Sequence, residues 1–482
     1  MIKLIPFVLG NIALLIQQYA DHYQQEDLSK SLTELGLDLG LPRIRNFDFI
    51  IVGGGTAGCL MAARLSERYR VLLLEKGGTP VPLTQNLYFT KNVSDHPAIT
   101  SYYPSLPQEQ FNMENGGASA AYIPKMLGGS SSNGECTYNR GNPADYDYIA
   151  NVTGDETWAY SHAIKHFKRI ENYVGMLITE KERAEYYGVG GPLTVETVQD
   201  PILQSWFQAG RELGFNVSDP NGRQTEGFTP MGKTMRNGER ESSYTAYLKG
   251  IESSRSSLLI LRYCEVDMIL INMGNVAYGV RYKRHGIPQI AHVTKEIIVS
   301  SGVISSPLLL MKSGIGPRTQ LTKGGIPTKV DSIGVGQNLH NHGGVTLLFS
   351  VNNPKLELLP KVEKRAFEED LGRYHDSIWR HGFFARVDFG PQAFIVSGRA
   401  KGEGEANHPD LQIIYRLKPL LGDGQLEIQL HVIITRMKSV GSVGFNSTSH
   451  FEGEEDDTKL AIIDDKLFTD STDVDVLIEG KK

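Results

Sequence analysis

Cysteine is scarce in this chain: three residues in 482, at Cys59, Cys136 and Cys264. An odd, widely spaced set gives no disulfide framework, and none of the three sits at metal-ligand spacing. Charge of one sign is lacking too. A net charge of −6 leaves no electrostatic footprint for nucleic acid. What imbalance exists is local, since residues 451–482 hold eleven acidic residues against four lysines and the rest of the chain is close to neutral. Within that stretch "EGEEDD" (452–457) lacks the alternating acidic order of a calcium loop and reads as a solvated loop. No period of 20–50 residues repeats, which sets aside solenoids and propellers. Long apolar runs are absent as well. The longest mostly apolar run, residues 4–16, is too short for a stable membrane span.

What is present begins with that same run. "MIKLIPFVLGNIALLIQQYA" pairs a weak positive start at Lys3 with an apolar stretch of secretory-signal length, although Gln18 occupies a position where cleavage after Ala20 prefers a small residue. A buried N-terminal helix is the alternative. Four glycosylation sequons begin at Asn92, Asn151, Asn216 and Asn446. Together these point to a secreted or luminal protein with a signal peptide over 1–20 and a polar leader over 21–44.

A βαβ unit follows. "FDFIIV" (47–52) is a short apolar run of strand type, "GGGTAG" (53–58) a glycine turn, "CLMAARLSERY" a helix, and "RVLLLEKGG" (70–78) a second strand. Strands apolar throughout belong to a parallel sheet covered on both faces. Gly53 permits the tight turn, Gly55 the approach of a pyrophosphate, and Gly58 close packing of helix on strand. The phosphates would meet the free N–H groups at the helix start, around Thr56 and Ala57. Glu75 closes the second strand 22 residues after Gly53, where a carboxylate accepts from a ribose diol and repels a 2′-phosphate. These residues alone do not separate FAD from NAD.

Further strand signals fall at 258–272, 275–284 and 295–302, with a helix expected from Ser306-Pro307 to Lys312 and ended by Gly314 and Gly316. Residues 343–350 and 411–437 alternate like half-buried strands of an antiparallel sheet. The expected fold is α/β, with a Rossmann-like dinucleotide domain interwoven with an α+β substrate domain that contains an antiparallel sheet.

Two later segments favour the flavin. "PKMLGGSSSNGECTYNRGNPADYD" (124–147) and "GVISSPLLLMKSGIGP" (302–317) resemble the two signatures of the glucose–methanol–choline (GMC) oxidoreductases. "RESSYTAYL" (240–248) and "GVGQNLHNH" (334–342) are similar to further blocks of that family, and the style is closest to its arthropod glucose dehydrogenase and alcohol oxidase type. The resemblance implies FAD as cofactor. It assigns 45–150 and 236–335 to the flavin domain and 151–235 and 336–482 to the substrate domain. It further implies oxidation of an alcohol CH–OH with hydride transfer to flavin N5, a small-molecule alcohol as substrate and an electron acceptor not fixed by the sequence. By resemblance Leu127, Gly129, Ser130, Ser131, Asn133, Gly134 and Val266 join the cofactor site, with Val266 at the position whose backbone meets adenine.

The chain departs from the pattern in two ways. Asn133 stands one place early in its block, and Asn341 replaces the usual Asp. No match to the family's histidine motif occurs: His340 and His342 lie in a block without a catalytic role in the family, so no catalytic residue is assigned. The expectation is therefore a chain lacking the family's C-terminal catalytic segment, with an exposed sheet edge as a consequence. A non-catalytic secreted FAD-binding protein is the alternative function.

Overall fold

The computed structural model describes residues 11–37, 45–112, 115–176, 180–197, 202–351, 389–419 and 426–481. The first ten residues, and residues 38–44 of the expected leader, lie outside them. Residues Ile12–Leu37 form helix α1. Ile12 and Ile16 are buried in a cluster with Val81, Val93, Ile99 and Met126. Asp27 of this helix accepts from Arg284 at 2.9 Å and meets His285 Nε2 at 2.8 Å.

The central sheet begins with β1 (Arg45–Val52), α2 (Thr56–Leu65) and β2 (Val71–Leu74). Ile50, Ile51, Leu72 and Leu73 are wholly buried, as strands covered on both faces require. β3 (Leu258–Leu261) pairs parallel to β2. The meander β4 (Cys264–Ile271), β5 (Ala277–Arg284) and β6 (Ile287–Val299) then brings β6 parallel to the other side of β1. The hydrogen-bonded order is β3-β2-β1-β6-β5-β4.

Only Arg262 and Tyr263 separate β3 from β4, yet the two strands end opposite sides of that path. Tyr263 takes a left-handed conformation (φ 54°), and β4 starts against the end of β2, with Cys264 N donating to Glu75 O at 2.8 Å. The strand signal at 258–272 is therefore two strands, broken at Tyr263. β6 also begins eight residues before the expected 295, because its first half is an antiparallel partner of β5. Its second half, Glu296–Val299, pairs with β1 on one side and, among the described residues, with no strand on the other.

Helix α3 (Gly302–Lys312) starts four residues before the expected Ser306. Gly302 (φ 86°) turns the chain out of β6 directly into the helix, and Pro307 sits inside it, where it forfeits one backbone bond. Gly314 (φ 88°) ends it in the left-handed conformation.

The second domain carries an antiparallel sheet. β7 (Gly344–Val351), β8 (Gln392–Ile395), β9 (Leu411–Pro419) and β10 (Leu426–Ile434) pair in the order β7-β10-β9-β8, and the short strand Gly227–Thr229 completes the edge. One face packs on Trp206 and Phe207 of helix Leu203–Glu212. Near its end lies α4 (Ser471–Lys481), whose Val476 and Leu477 join Leu411 and Val432. The Asp473 carboxylate fixes α4 by accepting from the amides of Lys438 and Ser439.

Candidate cofactor cleft

The glycine turn places three segments in close approach. A Cβ on Gly58 would lie 2.0 Å from Gly53 O, so α2 packs on the turn at a distance that only glycine allows. A Cβ on Gly129 would lie 2.8 Å from Gly55 Cα, so the backbone of the 128–134 loop runs against the start of α2. Gly128 (φ 85°) and Gly129 (φ 52°) turn that loop into a single helical turn, Ser130–Asn133.

Between these segments opens a cleft of about 490 Å³, lined by Gly53, Gly55, Thr56, Ala57, Glu75, Gly129, Ser130 and Val266. The structure thus brings together eight of the residues singled out from the sequence. The remaining five do not line it. Gly58 packs beneath the turn, and Leu127 is fully buried with Ile51 and Leu73. The Ser131 hydroxyl donates to Gly128 O at 2.6 Å. Asn133 is buried, and Gly134 caps the helical turn.

Glu75 sits at the end of β2 with both carboxylate oxygens engaged. Oε2 accepts from Gly54 N at 2.7 Å and Oε1 from Gly77 N at 2.8 Å. Burial pushes its carboxyl up to about 7, against the pull of those two amides. Each oxygen keeps a further lone pair, so a ribose diol can still donate to it. At Val266 the pairing of β4 with β5 skips Asp267.

Sequence reasoning missed several cleft residues. Ser300, whose Oγ donates to Gly53 O at 2.8 Å, and Ser301 follow β6 and carried a readable signal in "VSSG". Lys76 and Glu265 form an ion pair of 2.7 Å at the cleft wall. Asp457 also lines the cleft and is buried against Lys312 at 2.7 Å, so the acidic loop is not solvated throughout. Nothing local in the sequence points to it.

A larger groove of about 790 Å³ lies between α2 and helix Tyr160–Ile170, lined by Leu60, Trp158 and Phe167 among others, and it holds none of the expected site residues. His342 is exposed and meets Ile434 O through Nδ1 at 2.9 Å, which is a local structural contact. Among the described residues no His, Cys, Asp or Glu cluster could hold a metal ion, and no helix is long and apolar enough to cross a membrane.

The cleft fits FAD in its donor set. The amides opening α2 have no intrahelical acceptor and would be free to meet a pyrophosphate, the glycines at 53, 55 and 129 leave room for one, and Glu75 would offer a carboxylate to a ribose.

Comparison with known proteins gives the same picture. Residues 47–343 match the family model described as GMC oxidoreductase. An oxygen-dependent choline dehydrogenase of Brucella anthropi is 32% identical over 423 residues, covering 83% of this chain and 71% of the relative. A pyridoxine 4-oxidase from Mesorbium loti superposes with a TM-score of 0.73 at 25% identity, covering 90% of this chain and 79% of that one. The formate oxidase of Aspergillus oryzae shares the fold, with a TM-score of 0.77 at 23% identity over 92% of this chain and 80% of that one.

Proposed function

This chain belongs to the GMC oxidoreductase family, and from that premise we propose that it oxidises the CH–OH group of a small-molecule alcohol with FAD held in the cleft described above. The observation that carries this reading is the convergence of the α2 N-terminus, the Gly129–Ser130 backbone and Glu75 on one cleft. Those groups would hold the pyrophosphate and the adenine ribose, and bound FAD supplies the hydride acceptor at N5. The relatives act on choline and pyridoxine by their names, and a small polar alcohol is the class we carry over. Turnover of an alcohol panel by the FAD-loaded chain with an artificial electron acceptor tests it. A rate no greater than that of free flavin would leave the alternative, a non-catalytic FAD-binding protein.

We also propose that the protein enters the secretory pathway. The exposed sequon residues Asn92, Asn151 and Asn216 support this, whereas Asn446 is half-buried and accepts from Ser449 N at 3.2 Å. Removal of residues 1–20 would take Ile12 and Ile16 from their cluster. Sequencing the N-terminus of protein recovered from secreting cells decides whether they stay.

A further inference from the structure

The block "RESSYTAYL" (240–248) opens with an arginine that has no part in the cleft lining. Arg240 is buried, with 5% of its surface exposed, and it does not line the cleft. Its guanidinium reaches three separate segments. Nε donates to Thr84 O at 2.7 Å and Nη2 to Thr90 Oγ1 at 3.0 Å. Nη1 is directed at the 131–136 stretch, donating to Ser131 O at 3.3 Å, to Gly134 O, and to Cys136 Sγ at 2.9 Å. Three residues on, Ser243 N donates to Ser131 Oγ at 3.0 Å.

We propose that Arg240 is a positioning residue for the cofactor, whose guanidinium sets the backbone of the 128–134 loop against the start of α2. The proposal rests on the FAD reading of the cleft. The loop cannot hold this shape alone. It opens with two glycines of positive φ and closes after a single helical turn, which has almost no cooperative stability. Its cleft side carries Gly129 and Ser130, and on its other side the carbonyls of Ser131 and Gly134 must find donors once buried. One planar fork supplies both and ties them to Thr84 and Thr90. Lysine has neither the fork nor the reach for all of these acceptors.

The test uses the whole chain, freed of FAD and titrated with FAD by flavin fluorescence, alongside the rate of Cys136 alkylation in the folded protein. Arg240→Lys should weaken FAD at least tenfold, equivalent to about 1.4 kcal/mol or one hydrogen bond to a charged group. It should also speed Cys136 alkylation, because that thiol loses its cover. Arg140→Lys is the control, a buried arginine paired with Glu171 and bonded to Tyr186 O and Asn221 O. It should lower stability while its folded fraction binds FAD like the parent.

Thr90→Val removes one anchor of the guanidinium while leaving the loop's own residues unchanged and should weaken FAD about threefold, as roughly half of one such bond would. FAD affinity of Arg240→Lys within threefold of the parent overturns the proposal. If that variant does not fold, Thr90→Val with parental affinity and parental alkylation overturns it. A parent that binds no FAD contradicts the cofactor reading itself, which is a different result.

Discussion

Replacing Glu75 by glutamine isolates the electrostatics of the cleft. The carboxyl is buried and its folded-state value stands at about 7, against an ordinary value of 4.5. A carboxyl whose value is raised by folding favours the folded state when protonated. Its contribution is fully present below about pH 4.5 and is lost as pH rises through about 7. One unit corresponds to about 1.4 kcal/mol, so the loss between pH 5 and pH 8 is on the order of 2–3 kcal/mol in the protein without FAD. The substituted side chain cannot titrate, although its amide can satisfy only one of the two N–H groups at Gly54 and Gly77 and so carries a constant penalty of about 1–3 kcal/mol. Urea unfolding of both proteins at several pH values yields the difference in stability. That difference should move by about 2–3 kcal/mol in favour of Glu75→Gln from pH 5 to pH 8. Parallel stability curves would refute the raised value and the burial that causes it.

Three further outcomes follow from the packing. Gly58→Ala forces α2 away from Gly53 O and Ser300 Oγ, costing about 1–3 kcal/mol, and should leave the chain unable to retain FAD through gel filtration. Arg140→Leu leaves Glu171 buried and unpaired, an expected loss of about 3–5 kcal/mol in urea unfolding, whereas adding Glu171→Leu should restore part of it. Cys59, Cys136 and Cys264 are free and buried, and burial pushes Cys59 up to about 12, so a thiol reagent should label none rapidly in the native protein and all three in denaturant.

The glycine turn, α2 and β2 were legible because one local pattern carries them: continuous apolar strands, glycines at fixed offsets and an acid at the end of β2. Glu75 and Gly55, read from that pattern, line one cleft with Ser130, which only the resemblance singled out. What escaped the sequence is what depends on distant partners. The first half of β6 alternates weakly, and only pairing with β5 makes it a strand. Asp457 looks like one more charge in an acidic run, and only the fold buries it against Lys312 at the cleft wall. Arg240 stood out by resemblance, but its acceptors lie 104 to 156 residues away along the chain. Leu127 and Asn133 matched cofactor positions and are buried behind the cleft wall, since a loop only a few residues long must turn some of its side chains into the core. The catalytic base has no assignment in the sequence, and neither exposed His342 nor His340 supplies one.

The most direct test of the account is titration of the FAD-free chain with FAD, with NAD as competitor. Saturation at one FAD per chain, undisturbed by NAD and abolished by Gly58→Ala, is the predicted result. Absence of saturable FAD binding by the folded chain, or displacement of FAD by NAD, would contradict the assignment of this cleft.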